Sequence, residues 1–164
     1  MIPTKYFITR GAGQSDYTHH AGSYHMALHK AGISECNIMT YSSILSPISE
    51  EIQKPILYVG QELKCIQSVC FGTRGSMLAA GIGYNFLYFP DGKLWGGLVV
   101  ERQGSFDEDY LVEALENSWH ELYNGCFTDL SHDGELKTIT QVFIPDKNYG
   151  CALVAMCFTD FKNH

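Results

Sequence analysis

Apolar positions along the chain form short runs separated by Gly, Pro and Asp, the pattern of many strands and few helices. Residues 6–9 are aromatic and β-branched and predict a strand that runs into a loop at Gly11-Ala12-Gly13. Tyr24, Ala27, Leu28 and Ala31 then fall on one face at helical spacing, with Ser23 the expected N-cap and Gly32 the expected stop. Residues 36–41 predict a second strand, which delivers Ser42 and Ser43 at its end. Leu63, Ile66, Val69 and Cys70 recur at helix-like intervals, so 62–71 is expected to be helical.

Residues 78–89 and 94–100 are apolar runs around Pro90-Asp91-Gly92-Lys93, which predicts an antiparallel hairpin. Ser105 and Glu108 have the spacing of a capping box, and Leu111, Ala114, Leu115, Ser118 and Leu122 predict a helix that ends before Gly125. Residues 138–144 and 151–159 read as strands of a last hairpin across 145–150. The class is mixed α+β with a largely antiparallel sheet. With 164 residues, 45% hydrophobic and 18% charged, the chain has the size and composition of one domain, 1–164.

Charge and cysteine usage narrow the partners. A formal net charge of -7 is the wrong sign for a surface that neutralises phosphates, which argues against nucleic acid. None of the six cysteines shows CxxC spacing and the N-terminus lacks an apolar signal region, so reduced thiols in a cytoplasmic protein are expected. The longest apolar stretch, around 151–158, is far shorter than the roughly 20 residues needed to cross a bilayer, so no membrane association is expected.

Alone, Ser42-Ser43 after a strand reads as a pair of turn residues, Asn37 as a strand-start residue, and Glu101 as a strand-end carboxylate facing water or pairing with Arg102. Taken together they stand in a wider pattern. The segments Phe7-Ile8-Thr9-Arg10-Gly11, Gly22-Ser23-Tyr24-His25-Met26-Ala27-Leu28, Ala31-Gly32-Ile33, Asn37-Ile38-Met39-Thr40-Tyr41-Ser42-Ser43-Ile44-Leu45 and Gly96-Gly97-Leu98-Val99-Val100-Glu101 resemble, in order and separation, the pyruvoyl-dependent arginine decarboxylase family. The stretch from Asn37 to Ile44 is the most specific of them.

The resemblance implies a four-layer αββα sandwich with largely antiparallel sheets. It also implies a precursor that cuts itself between Ser42 and Ser43, giving chains 1–42 and 43–164, the second blocked by a pyruvoyl derived from Ser43. Such a group forms a Schiff base with an amino acid and accepts the electrons released with carbon dioxide, so no dissociable cofactor is needed. Glu101 is then expected to be the general acid, Asn37 to position or polarise the scissile bond, and Ser42 and His25 to line the substrate pocket. Arginine to agmatine is the implied reaction, in a homo-oligomer, a trimer or pair of trimers, with sites between subunits.

One position departs from the family. At His25 an aspartate is expected to hold the substrate guanidinium, and imidazole offers that group one acceptor at most. Asp16 could supply the missing charge, or the substrate could be another amino acid. A non-catalytic, uncleaved relative that assembles or binds a small amine is the reading from a different class. His25 and His29 stand four apart, as helical metal ligands do, but no third ligand accompanies them and no metal is expected. Gly11 to Gly13 and Gly72 to Gly75 lack the Lys-Ser/Thr ending of a phosphate loop and are expected to permit tight turns.

Overall fold

The computed structural model describes residues 1–132 and 134–163. In chain order, β1 (Ile2–Ser15) leads through a π-helical turn (His19–Tyr24) into α1 (His25–Ala31). Then come β2 (Asn37–Thr40), β3 (Ile44–Leu45), β4 (Glu50–Glu51), β5 (Glu62–Thr73), β6 (Leu78–Tyr88), β7 (Leu94–Gly104), α2 (Glu108–Cys126), β8 (Ser131–His132), β9 (Lys137–Phe143) and β10 (Tyr149–Lys162). Sheet A has the order β2-β5-β10-β1-β4, and sheet B the order β3-β7-β6-β8 with β9 also paired to β6. Most pairs are antiparallel; β1 with β4 and β2 with β5 are parallel.

Strand alternation distributes the apolar residues over three cores. Tyr6, Ile66, Val154, Met156 and Phe158 of sheet A face Leu45, Ile82, Tyr84 and Val99 of sheet B. Phe7, Leu63, Cys65, Leu153 and Cys157 on the outer face of sheet A pack under Ala27, Leu28 and Ala31 of α1. Leu87, Leu98 and Val100 on the outer face of sheet B pack under Leu111, Leu115 and Trp119 of α2. The layers are therefore α1, sheet A, sheet B and α2, the α+β sandwich expected.

Several local expectations give way to this arrangement. Residues 62–71 are strand β5, paired antiparallel with β10 from Lys64 to Thr73. Leu63, Cys65 and Val69 serve the α1 side while Ile66 and Cys70 serve the space between sheets. A strand with both faces buried carries apolar residues at every spacing, which imitates a helical repeat. The final strands are not a hairpin either, since β9 pairs with β6 in sheet B and β10 lies between β1 and β5 in sheet A. Gln14 Oε1 accepts from the Asp146 and Lys147 amides, at 2.8 and 3.1 Å, where the connection crosses between sheets.

Gly11 and Gly13 do not form a loop; β1 runs through both. A Cβ at Gly11 would lie 2.2 Å from the Ala27 carbonyl oxygen, and one at Gly13 would lie 2.2 Å from that of Ser23, so these glycines let the helical segment seat on the strand. Ser23 is not an N-cap: it is buried inside the π-helical turn and its hydroxyl donates to the His19 carbonyl. Gly32 does end α1, at φ 71°, with its own amide and that of Ile33 bonded back to His29 and Leu28. Asp107, not Ser105, caps α2 by accepting from the Tyr110 amide at 2.9 Å, and the helix continues through Gly125. The hairpin of β6 and β7 is as expected, with Gly92 at φ 82° in its turn.

Candidate active site

The Ser42–Ser43 bond lies where the chain leaves sheet A for sheet B. The Tyr41 amide still donates to the Cys65 carbonyl of β5 at 2.8 Å, and the Tyr41 ring lies against Phe158. Two residues later the Ser43 carbonyl accepts from the Val99 amide of β7, also at 2.8 Å, and the ladder continues as Ile44 to Leu98 and Leu45 to Gly97. Each side of the bond is anchored to a different sheet. Ser42 is exposed and Ser43 partly buried.

The glycines before Val99 make the crossing possible. Gly96 adopts φ 153°, and a Cβ there would stand 2.6 Å from the Leu45 carbonyl oxygen; a Cβ at Gly97 would touch the Leu45 side chain at 3.0 Å. Only a strand without side chains at these two places lets β3 lie this close.

Alternation along β7 turns Val99 and Glu101 toward the space between the sheets, while Leu98, Val100 and Arg102 face α2. Since Ser43 is opposite Val99, Glu101 is its diagonal neighbour across the β3–β7 pair, a relation that places such side chains roughly 7 Å apart. Glu101 has no counter-ion within ion-pair distance among the described residues, and Arg102 points to the opposite face, beside Tyr110 and Glu113. Burial pushes the Glu101 carboxyl above the ordinary carboxylate range, opposed only by its own backbone amide.

The other sequence candidates lie apart from this pair within one chain. Asn37 begins β2, about 10 Å of strand from its far end. Its Nδ2 donates to the Gly60 carbonyl at 2.8 Å, and its amide donates to Gln61. His25 is exposed at the start of α1, so sheet A lies between it and the inner face that carries Glu101. Asp16 is engaged elsewhere: its carboxylate accepts from the Asn148 amide and stands 3.8 Å from Arg74. His29, with Lys54, lines a separate cleft beside the end of α1.

Two features of the site had little or no trace in the sequence. The Val99 amide that fixes Ser43 is a backbone group that no side-chain pattern reveals, although Gly96-Gly97 inside a strand hints at close backbone approach. Ser68, buried beside β7, was hidden by the helical reading of its segment.

Comparison with known proteins supplies the family context for this geometry. A family model described as pyruvoyl-dependent arginine decarboxylase matches residues 5–163. A protein of Methanocella arvoryzae named pyruvoyl-dependent arginine decarboxylase is 30% identical over 149 residues, 83% of this chain and 87% of that protein. Pyruvoyl-dependent arginine decarboxylase 1 of Archaeoglobus fulgidus is 35% identical over 88 residues, 51% of this chain and 55% of its own length. A probable pyruvoyl-dependent arginine decarboxylase of Chloroherpeton thalassium is 33% identical over 131 residues, 70% of this chain and 68% of its own.

Proposed function

The chain belongs to the pyruvoyl-dependent arginine decarboxylase family, and from that membership we propose that it is a carboxy-lyase converting arginine to agmatine and carbon dioxide, with Ser43 the source of its pyruvoyl. The observation that carries the reading is the placement of Ser43 against Val99, with the half-buried Glu101 diagonal to it.

Position 43 fits such a group. Serine supplies its three carbons, and the Val99 amide already holds the carbonyl of that residue. In self-cleavage the Ser43 hydroxyl bonds to the Ser42 carbonyl carbon as the Ser42–Ser43 amide bond breaks. Elimination then breaks the Ser43 Cβ–Oγ bond and leaves a carboxylate on Ser42, and one water enters as one ammonia leaves. The products are 1–42 and 43–164 of a single domain. Both remain rooted, the first through β1 and β2 in sheet A and the second through β3 in sheet B.

The pyruvoyl supplies an electrophilic carbonyl for the substrate amine and a sink for the electrons left by carbon dioxide. Glu101 serves as the general acid: burial raises its pKa and so favours the protonated carboxyl that the carbon left by the carboxylate requires. Ser42, exposed beside that carbon, lines the pocket.

Asn37 and His25 complete the site from another copy in a homo-oligomer, a trimer or a pair of trimers. Their separation from Ser43 within one chain supports this, as do the exposed apolar residues nearby: Met39 of β2 and Ile44 of β3 on either side of the crossing, and Ile56, Tyr58 and Val59 in the segment that meets the Asn37 end of β2. A cytoplasmic location agrees with six unbonded cysteines, and no helix among the described residues is long and apolar enough to cross a membrane.

Measured release of carbon dioxide from a panel of amino acids tests the substrate. Arginine should dominate. Dominant release from another amino acid would assign His25 to a different side chain, and no release from a fully cleaved protein would reject decarboxylation.

A further inference from the structure

Polar side chains are scarce between the two sheets. Ser68 is one of them, 1% exposed on the inner face of β5 between Ile66 and Cys70. Its hydroxyl donates to the Arg102 carbonyl of β7 at 2.7 Å and accepts from the Gly81 amide of β6 at 3.2 Å. Gly81 and Arg102 are ladder partners, so one hydroxyl of sheet A ties two strands of sheet B at a single rung. That rung adjoins the one formed by Glu101 and Ile82. Two residues on, the Cys70 thiol reaches the Gly104 carbonyl at 3.4 Å.

Side chains as short as serine and cysteine reach an opposing backbone only where the sheets approach closer than their ordinary spacing of about 10 Å. The tie is thus a local clamp on the main chain that carries Glu101, made by a hydroxyl whose bonds go to the Arg102 carbonyl and the Gly81 amide.

We infer that Ser68 is a positioning residue for the decarboxylation, its hydroxyl setting how deeply the Glu101 carboxyl sits between the sheets and hence its reach toward residue 43. The inference rests on Glu101 being the acid. Little else tunes that carboxyl. The inner face of β5 presents Glu62, Lys64 and Cys70, β6 presents Tyr84, the crossing presents Tyr41, β1 presents Tyr6 and Arg10, and β4 presents Glu51; the facing part of β10 and β3 present no titratable group. The Arg10 guanidinium donates to the Thr140 carbonyl of β9, Glu51 accepts from the Tyr84 hydroxyl, and burial pushes the Tyr6 phenol up to about 12. Lys64 lies over the Phe161 ring, and burial holds the Cys70 thiol and the Tyr84 phenol above their ordinary ranges and therefore neutral. Depth of burial is what remains to set the Glu101 proton.

The test compares S68A, S68T and E101Q in the self-cleaved enzyme with arginine as substrate. S68A leaves the Gly81 amide and Arg102 carbonyl able to bond each other, so folding and self-cleavage should persist by intact mass. Its kcat should fall about tenfold with little change in KM, and the alkaline fall-off of kcat should move down by about one pH unit as water reaches the carboxyl. S68T, which keeps a hydroxyl, should restore both. An S68A enzyme with the parent's kcat and alkaline limb, while E101Q is inactive, overturns the inference and leaves the acid assignment intact. Full activity in E101Q rejects the acid assignment itself. Should S68A fail to fold or cleave, the same readouts are taken on S68C, whose thiol fits the space but bonds more weakly. Parental values there overturn the inference in the same way.

Discussion

At the scale of single residues, the proposed site reduces to a serine whose carbonyl is held and a carboxyl whose pKa is raised by burial. E101Q should cleave itself normally yet lose roughly 10²- to 10⁴-fold in kcat, the usual contribution of a general acid, as measured by carbon dioxide release. The same carboxyl has a signature in stability. Its folded pKa is raised, so the folded chain holds a proton that the unfolded chain has released, and stability falls as pH rises from the ordinary carboxylate value through the folded one. Removing the charge removes that loss. The melting temperature of E101Q relative to the parent should therefore become more favourable as pH rises above about 4; a constant difference would mean that Glu101 is not buried as described. Ser43 and Glu101 were legible only through the resemblance, because a serine pair after a strand and a glutamate at a strand end are commonplace. The Val99 amide and the Ser68 tie were not legible, since hydrogen bonds between segments far apart in sequence leave no local pattern.

At the scale of elements, β3 is only Ile44–Leu45, and its seat depends on two glycines of β7. G96A must accommodate a Cβ 2.6 Å from the Leu45 carbonyl oxygen at a backbone angle that side chains resist. It should cost about 1–3 kcal/mol in urea denaturation and slow the appearance of the two fragments, because the Ser43 carbonyl moves with β3. Parental stability together with parental cleavage would show that the seat is not needed. The hairpin of β6 and β7 and the stop at Gly32 were readable because turn chemistry is local. β5 and the pairing of β10 were not. Strands buried on both faces lose their two-residue alternation, and partner choice across 145–150 is decided by which sheet each strand can fill.

At the scale of the molecule, the proposed cleavage would change covalent structure without removing a layer. β1 forms a long antiparallel ladder with β10, from Ile2 opposite Lys162 to Ser15 opposite Tyr149, so residues 1–42 supply an interior strand of sheet A. The two fragments should therefore elute together under native conditions and separate only in denaturant; free 1–42 in native chromatography would contradict that interleaving. The mixed α+β class was readable from the residue pattern and the four layers only through the resemblance, whereas the proposed completion of the site by Asn37 and His25 of another copy would depend on surfaces that one chain leaves exposed. The claim beneath all of this is that Ser43 becomes the catalytic group, and intact-mass analysis of the denatured protein tests it most directly. The account predicts fragments 1–42 and 43–164 whose masses sum to the precursor plus one water less one ammonia, the larger resistant to N-terminal sequencing and reactive toward carbonyl reagents. A stable, uncleaved chain of 164 residues would contradict it.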